Sequence, residues 1–86
     1  MADVKTRGTK NLPAHEMRIG AIKATVWSNA VPSGAVMFNT VLVRLYRDDQ
    51  GSWCETHSLG RDDLLTAAKV LDLVHTWVSQ AERKQA

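Results

Sequence analysis

From Val36 to Arg47 apolar and polar side chains alternate, the chain breaks at Asp48-Asp49-Gln50-Gly51, and a second short run begins at Trp53. A period of two on either side of an acidic-glycine turn predicts a β-hairpin, with Gly51 supplying the positive φ of the turn. Directly behind it, residues 61–80 change to a period near 3.6. Leu64, Ala67, Ala68, Leu71, Val74 and Val78 fall at i, i+3, i+4 and i+7 spacings. Gly60 stands at the N-cap, and Asp62 and Asp63 occupy the first turn, where carboxylates favour the helix dipole. A hairpin followed by one amphipathic helix restricts the fold to the α+β class. The expected architecture is a curved antiparallel sheet of three to four strands with a single C-terminal helix.

Upstream, Ile19 to Trp27 also alternates, with Ile22, Ala24 and Val26 on one face and Lys23, Thr25 and Trp27 on the other. Gly20 marks either a bulge or a bend that divides this region into two short strands. Residues 28–34, S-N-A-V-P-S-G, read as a turn. On the Val36–Arg47 strand, Val41, Val43 and Leu45 are assigned to the core. Phe38, Thr40, Leu42, Arg44 and Tyr46 are assigned outward, because an unpaired buried arginine is costly. The returning strand is expected over Trp53–Leu59.

At 86 residues the chain makes one small domain with a marginal core. Residues 1–16 read as a weakly basic tail, 17–80 as the ordered domain and 81–86 as a second tail. Leu65, Val70, Leu73 and Trp77 widen the apolar stripe of the helix beyond one sheet face. That excess predicts a homodimer through the helix, with Leu71, Val74, Trp77 and Val78 at its interface. The lone Cys54 has no intramolecular disulfide partner, which points to a reducing compartment. With no apolar leader and no long apolar span, a cytoplasmic location is expected, nucleoid-associated if the source is bacterial.

The formal net charge is only +2, but it is unevenly placed. Lys5, Arg7, Lys10, Arg18, Lys23, Arg44, Arg47 and Arg61 face five carboxylates up to residue 61, whereas the helix is slightly acidic. Clustered cations among aromatic rings suit single-stranded nucleic acid, where cations take phosphates and rings take bases. Lys23, Trp27, Phe38, Arg44, Tyr46, Arg47, Trp53 and Arg61 are the candidate contacts.

Catalytic and metal-site readings find little support. Cys54 and His57 are three apart on a strand and face opposite sides, so they do not converge as zinc ligands or as a nucleophile pair. Asp48-Asp49 and Asp62-Asp63 are accounted for by turn and helix-start preferences, and no phosphate-binding glycine loop is present. A non-enzymatic protein without metal or cofactor is expected.

In the order of its elements the chain resembles the positive cofactor four family of single-stranded DNA-binding transcriptional coactivators. Arg18-Ile19-Gly20 is similar to that family's first strand opening, and Val41–Tyr46 to its aliphatic strand ending in arginine-x-tyrosine. Asp49-Gln50-Gly51 is similar to its acidic-glycine hairpin, and Ser58-Leu59-Gly60 to the segment leading into its helix. The resemblance spans residues 17–78 and lies in order and spacing rather than in one motif. It implies a helix-mediated dimer presenting sheets to unpaired DNA in transcription, replication or recombination, with Arg44 on the family's DNA-approaching arginine. Arg47 stands where the family has a base-stacking tryptophan, so Trp27 and Trp53 become the candidates for stacking. The diluted basic hairpin, with Glu55 in the return strand, implies weaker binding. RNA is the other polyanion to compare. The alternative function is a small protein-interaction adaptor that uses an exposed strand edge or the wide helix.

Overall fold

The computed structural model of the chain describes residues 12–84. Four antiparallel strands form one sheet in the order of the chain: β1 (His15–Ile19), β2 (Ile22–Ala30), β3 (Val36–Arg47) and β4 (Trp53–Thr56). One helix, α1 (Arg61–Arg83), follows. The α+β class and the arrangement of a sheet with a C-terminal helix are those the sequence predicts. Residues 1–11 and 85–86, which take in most of the expected N-terminal tail and the last two residues of the C-terminal one, lie outside the described residues.

Gly20 is a bend rather than a bulge. Ile19 pairs with Ile22, leaving Gly20 and Ala21 as a two-residue hairpin loop. Gly20 has φ 59° and Ala21 a negative φ, which is the glycine-first turn that suits the twist of paired strands. Order therefore begins earlier than expected, since His15 and Glu16 pair with Val26 and Thr25. The turn after β2 is later and shorter than residues 28–34. Ala30 already pairs with Val36, and Val31 N–H donates to the Ala35 carbonyl. At the next turn Gly51 N–H donates to the Asp48 carbonyl, Gly51 has φ 82°, and Asp48 N–H donates to the Ser52 carbonyl. That combination is a type I turn closed by a glycine bulge.

β4 stops at Thr56 instead of Leu59. The chain beyond it is held by side chains: His57 Nδ1 lies 3.0 Å from the Leu42 carbonyl, and Ser58 N–H donates to Thr56 Oγ1. At the helix entry Gly60 N–H donates to Asp63 Oδ2 at 2.8 Å, the returning half of a capping box. The helix continues to Arg83, past the expected end at Gln80.

α1 lies across β2 and β1 and reaches β3 less. The core between helix and sheet consists of Ile22, Ala24 and Val26 with Ala67, Val70 and Val74, and Met17, Phe38, Leu42, Leu59, Trp77 and Val78 close around it. Two expectations change here. On β3 the helix-facing residues are Phe38 and Leu42, not Val41, Val43 and Leu45. The reason is register: Leu42 is opposite Ala24 and Arg44 opposite Ile22, and directly paired residues share a face. On α1 the stripe is centred on Val70, which is fully buried, while Leu64 and Leu71 of the expected stripe are exposed.

The Cα envelope is 14 Å in its shortest direction, about the thickness of one helix on one sheet. The opposite sheet face is uncovered among the described residues. No helix there is long and apolar enough to cross a membrane.

Candidate nucleic-acid interface

Register sorts the candidate residues onto two faces. Cross-strand pairing places Arg18 beside Lys23, Lys23 beside Val43, Trp27 beside Asn39, Leu45 beside Glu55 and Arg47 beside Trp53. Since paired residues share a face and i, i+2 residues stay on it, Arg18, Lys23, Trp27, Arg47, Trp53 and Glu55 all belong to the uncovered face. Phe38, Arg44 and Tyr46 belong to the helix side.

At one corner of the uncovered face the Arg47 guanidinium sits over the Trp53 ring, 4.8 Å from its centroid. Trp53 is 60% exposed. An arginine in that position holds the indole by cation–π attraction while its remaining N–H groups stay open to an anion. At the centre Lys23 Nζ meets Glu55 Oε2 at 3.2 Å. Because Lys23 is on β2 and Glu55 on β4, this bridge passes over β3. Val43 beneath it is only 5% exposed even though it lies on the uncovered face. Arg18, exposed beside Lys23, donates through Nε to the Gly20 carbonyl at 2.8 Å. Trp27 lies at the far corner. From its row to that of Trp53 the chain advances from Asn39 to Arg47 along β3 and crosses two strand spacings, a diagonal of about 29 Å at ordinary strand dimensions.

The helix-side candidates have intramolecular partners. Arg44 Nε donates to the Ser58 carbonyl at 3.0 Å and lies 3.4 Å from Asp63 Oδ2, with the Tyr46 ring 5.9 Å away. This arginine ties β3 to the helix entry, which corrects its outward assignment: it is paired at the rim of the helix–sheet interface. Phe38 meets Trp77 edge-on at 5.5 Å, and Trp77 stacks on His15 at 4.7 Å. Tyr46 is half-exposed beside Cys54. Cys54, as a neighbouring ionisable thiol and as a hydrogen-bond partner, holds the Tyr46 hydroxyl above its ordinary pKa, and Asp48 adds to the effect. Arg61 is exposed at the helix start, 4.0 Å from Asp62, and joins neither face.

The expected dimer residues are also redistributed. Val74 is buried in the core of its own chain, and Trp77 and Val78 pack against that core. Only Leu71 remains substantially exposed, at 43%. Leu64, at 52%, and Leu65, at 85%, are exposed on the helix and lie outside the expected interface; Ala68 lies between Leu64 and Leu71 on one flank. Cys54 and His57 have separate partners, the Cys54 thiol facing Asp48 and Ser52. No cluster of three or more His, Cys, Asp or Glu residues suited to a metal ion occurs among the described residues.

Arg18 is a further candidate on this face. It was counted among the basic residues, but its place beside Lys23 depends on β1 starting at His15 and on the hairpin at Gly20. Comparison with protein-family models, with curated proteins and with solved structures finds no match to this chain.

Proposed function

We propose that the chain is a binding module for single-stranded nucleic acid, DNA in the first instance, that uses the uncovered face of its sheet as an accessory factor in transcription, replication or recombination. The observation that carries this reading is the Arg47–Trp53 pair, a cation held over an exposed indole, on the same face as Arg18, Lys23 and Trp27. A base stacked on an aromatic side chain contributes about 1–3 kcal/mol, and phosphates add an electrostatic term that salt removes. The family resemblance supports the same class of ligand, but the face is this chain's own: Trp53 and Arg47 take the stacking corner, and Arg44 stays with the helix entry.

Fluorescence anisotropy with single-stranded and duplex oligonucleotides over a salt series tests the reading. Single strands are expected to bind, with a log–log salt slope of about −2 if Arg18, Lys23 and Arg47 each neutralise one phosphate. Trp53→Ala is expected to weaken binding about five- to a hundredfold, the loss of one stack. A folded protein that binds no oligonucleotide at low salt would refute the proposal. The adaptor reading is favoured by Leu64, Leu65 and Leu71, which are exposed on the helix. It predicts a partner protein whose binding hardly responds to salt.

A further inference from the structure

The Lys23–Glu55 bridge lies on the diagonal between the two tryptophans of the uncovered face. It is an ordinary surface pair by distance, 3.2 Å, with Lys23 26% and Glu55 54% exposed. Its position is less ordinary. It spans from β2 to β4 over β3 and roofs Val43, so a strand running from Trp27 to Trp53 must cross it. A phosphate at that crossing meets a cation whose charge is already taken and a carboxylate of its own sign.

We infer that Glu55 is an internal competitor for the nucleic-acid phosphate on Lys23, and that it is the residue setting how tightly this face holds a polyanion. The inference rests on the proposed single-strand reading. In the free protein the Glu55 carboxylate occupies Lys23; in the complex a phosphate oxygen replaces it and Glu55 swings to solvent, with no covalent change. The exchange is feasible because an exposed pair of this kind is held only weakly. Its cost is the loss of the bridge together with repulsion between Glu55 and the incoming phosphate, each comparable to thermal energy at contact distance in water. Among the described residues no carboxylate pairs with Arg47 or Arg18: Arg47 rests on a ring and Arg18 on a carbonyl. The face therefore engages at its Arg47–Trp53 corner first and closes over Lys23 second.

The test measures an oligothymidylate of about 16 nucleotides, the upper end of single-domain site sizes, against the parent, Glu55→Gln, Lys23→Gln and the double variant, from low to physiological salt. Glu55→Gln is expected to bind about three- to tenfold more tightly at low salt. Its salt slope should match the parent's, because Lys23 meets one phosphate in both complexes and only the cost of freeing it differs. The gain should vanish in the double variant, because it acts through Lys23. Circular-dichroism melts of all four proteins establish that each is folded, and Glu55→Ser, with a smaller side chain, replaces Glu55→Gln if that variant is not. Binding by the parent with an equal or weaker Glu55→Gln overturns the competitor role and leaves the single-strand reading standing. Binding by Glu55→Gln alone supports the inference in its strongest form, and binding by none of the folded proteins ends both.

Discussion

Arg44 and Arg47 are three residues apart on one strand and do different work. Odd spacing on a strand sends them to opposite faces. Arg44 meets the Ser58 carbonyl and Asp63 at the helix entry, whereas Arg47 rests on the face of Trp53. Alternation along β3 favours an outward Arg44, on the premise that an unpaired buried arginine is too costly. The premise holds, but Arg44 is neither fully buried nor unpaired. Arg44→Ala is therefore expected to lower stability by about 1–2 kcal/mol, the range for a charged hydrogen bond discounted for partial exposure. Single-strand affinity should change less than twofold. Chemical denaturation and anisotropy on the same variant check the two halves. A large affinity loss without a stability loss would return Arg44 to the binding site.

The β3–β4 hairpin depends on a carboxylate at its turn. Asp48 Oδ1 accepts the Gln50 and Ser52 N–H groups, each at 2.9 Å. Those bonds, that of Ser52 first, hold its pKa below the ordinary aspartate value, because they favour the charged form. A carboxyl whose pKa is lowered on folding adds stability above its unfolded value and loses it as pH falls through the lowered folded value. The hairpin that carries the Arg47–Trp53 corner should thus loosen only in strong acid. An NMR pH titration is expected to show the Gln50 and Ser52 amides moving together at a midpoint below that of a free aspartate. In Asp48→Ala this acid inflection should disappear. A midpoint at or above the ordinary value would contradict the assigned role of the turn.

Turn chemistry of this kind is where the sequence was most readable, as the acidic-glycine hairpin, the extent of β3 and the helix start at Arg61 all follow from local residue preferences. The face of β3 was not read correctly, because alternation yields two sets of residues without saying which one meets the helix. The missing signal lay in the turn: an odd number of residues between β2 and β3 places even-numbered residues opposite even-numbered ones. Ile22, Ala24 and Val26 then bring Leu42 and Arg44 to their own side.

For the whole molecule, the helix covers one face of the sheet and leaves apolar surface of its own. Leu64, Ala68 and Leu71, at i, i+4 and i+7, form a flank turned away from the Ala67–Val70–Val74 stripe that fills the core. The expected dimer seam used Val74, Trp77 and Val78, which the chain needs for its own sheet. The flank that remains lies closer to the helix start. A small domain whose described residues include a buried cluster of six gains from covering such a flank, and a second copy supplies a self-complementary surface through a two-fold axis. We propose a homodimer through this flank, with the two uncovered sheet faces free for nucleic acid. Sedimentation equilibrium is expected to give twice the chain mass for the parent at micromolar concentration, and a single chain mass for Leu64→Glu/Leu71→Glu. That variant should keep its helix signal and most of its core, because neither residue is buried in the single chain. It should also lose affinity mainly for oligonucleotides long enough to touch two faces, since joining two weak sites raises their effective concentration for each other. A parent that stays at the single chain mass throughout the micromolar range would remove the dimer and, with it, any advantage of long oligonucleotides over short ones.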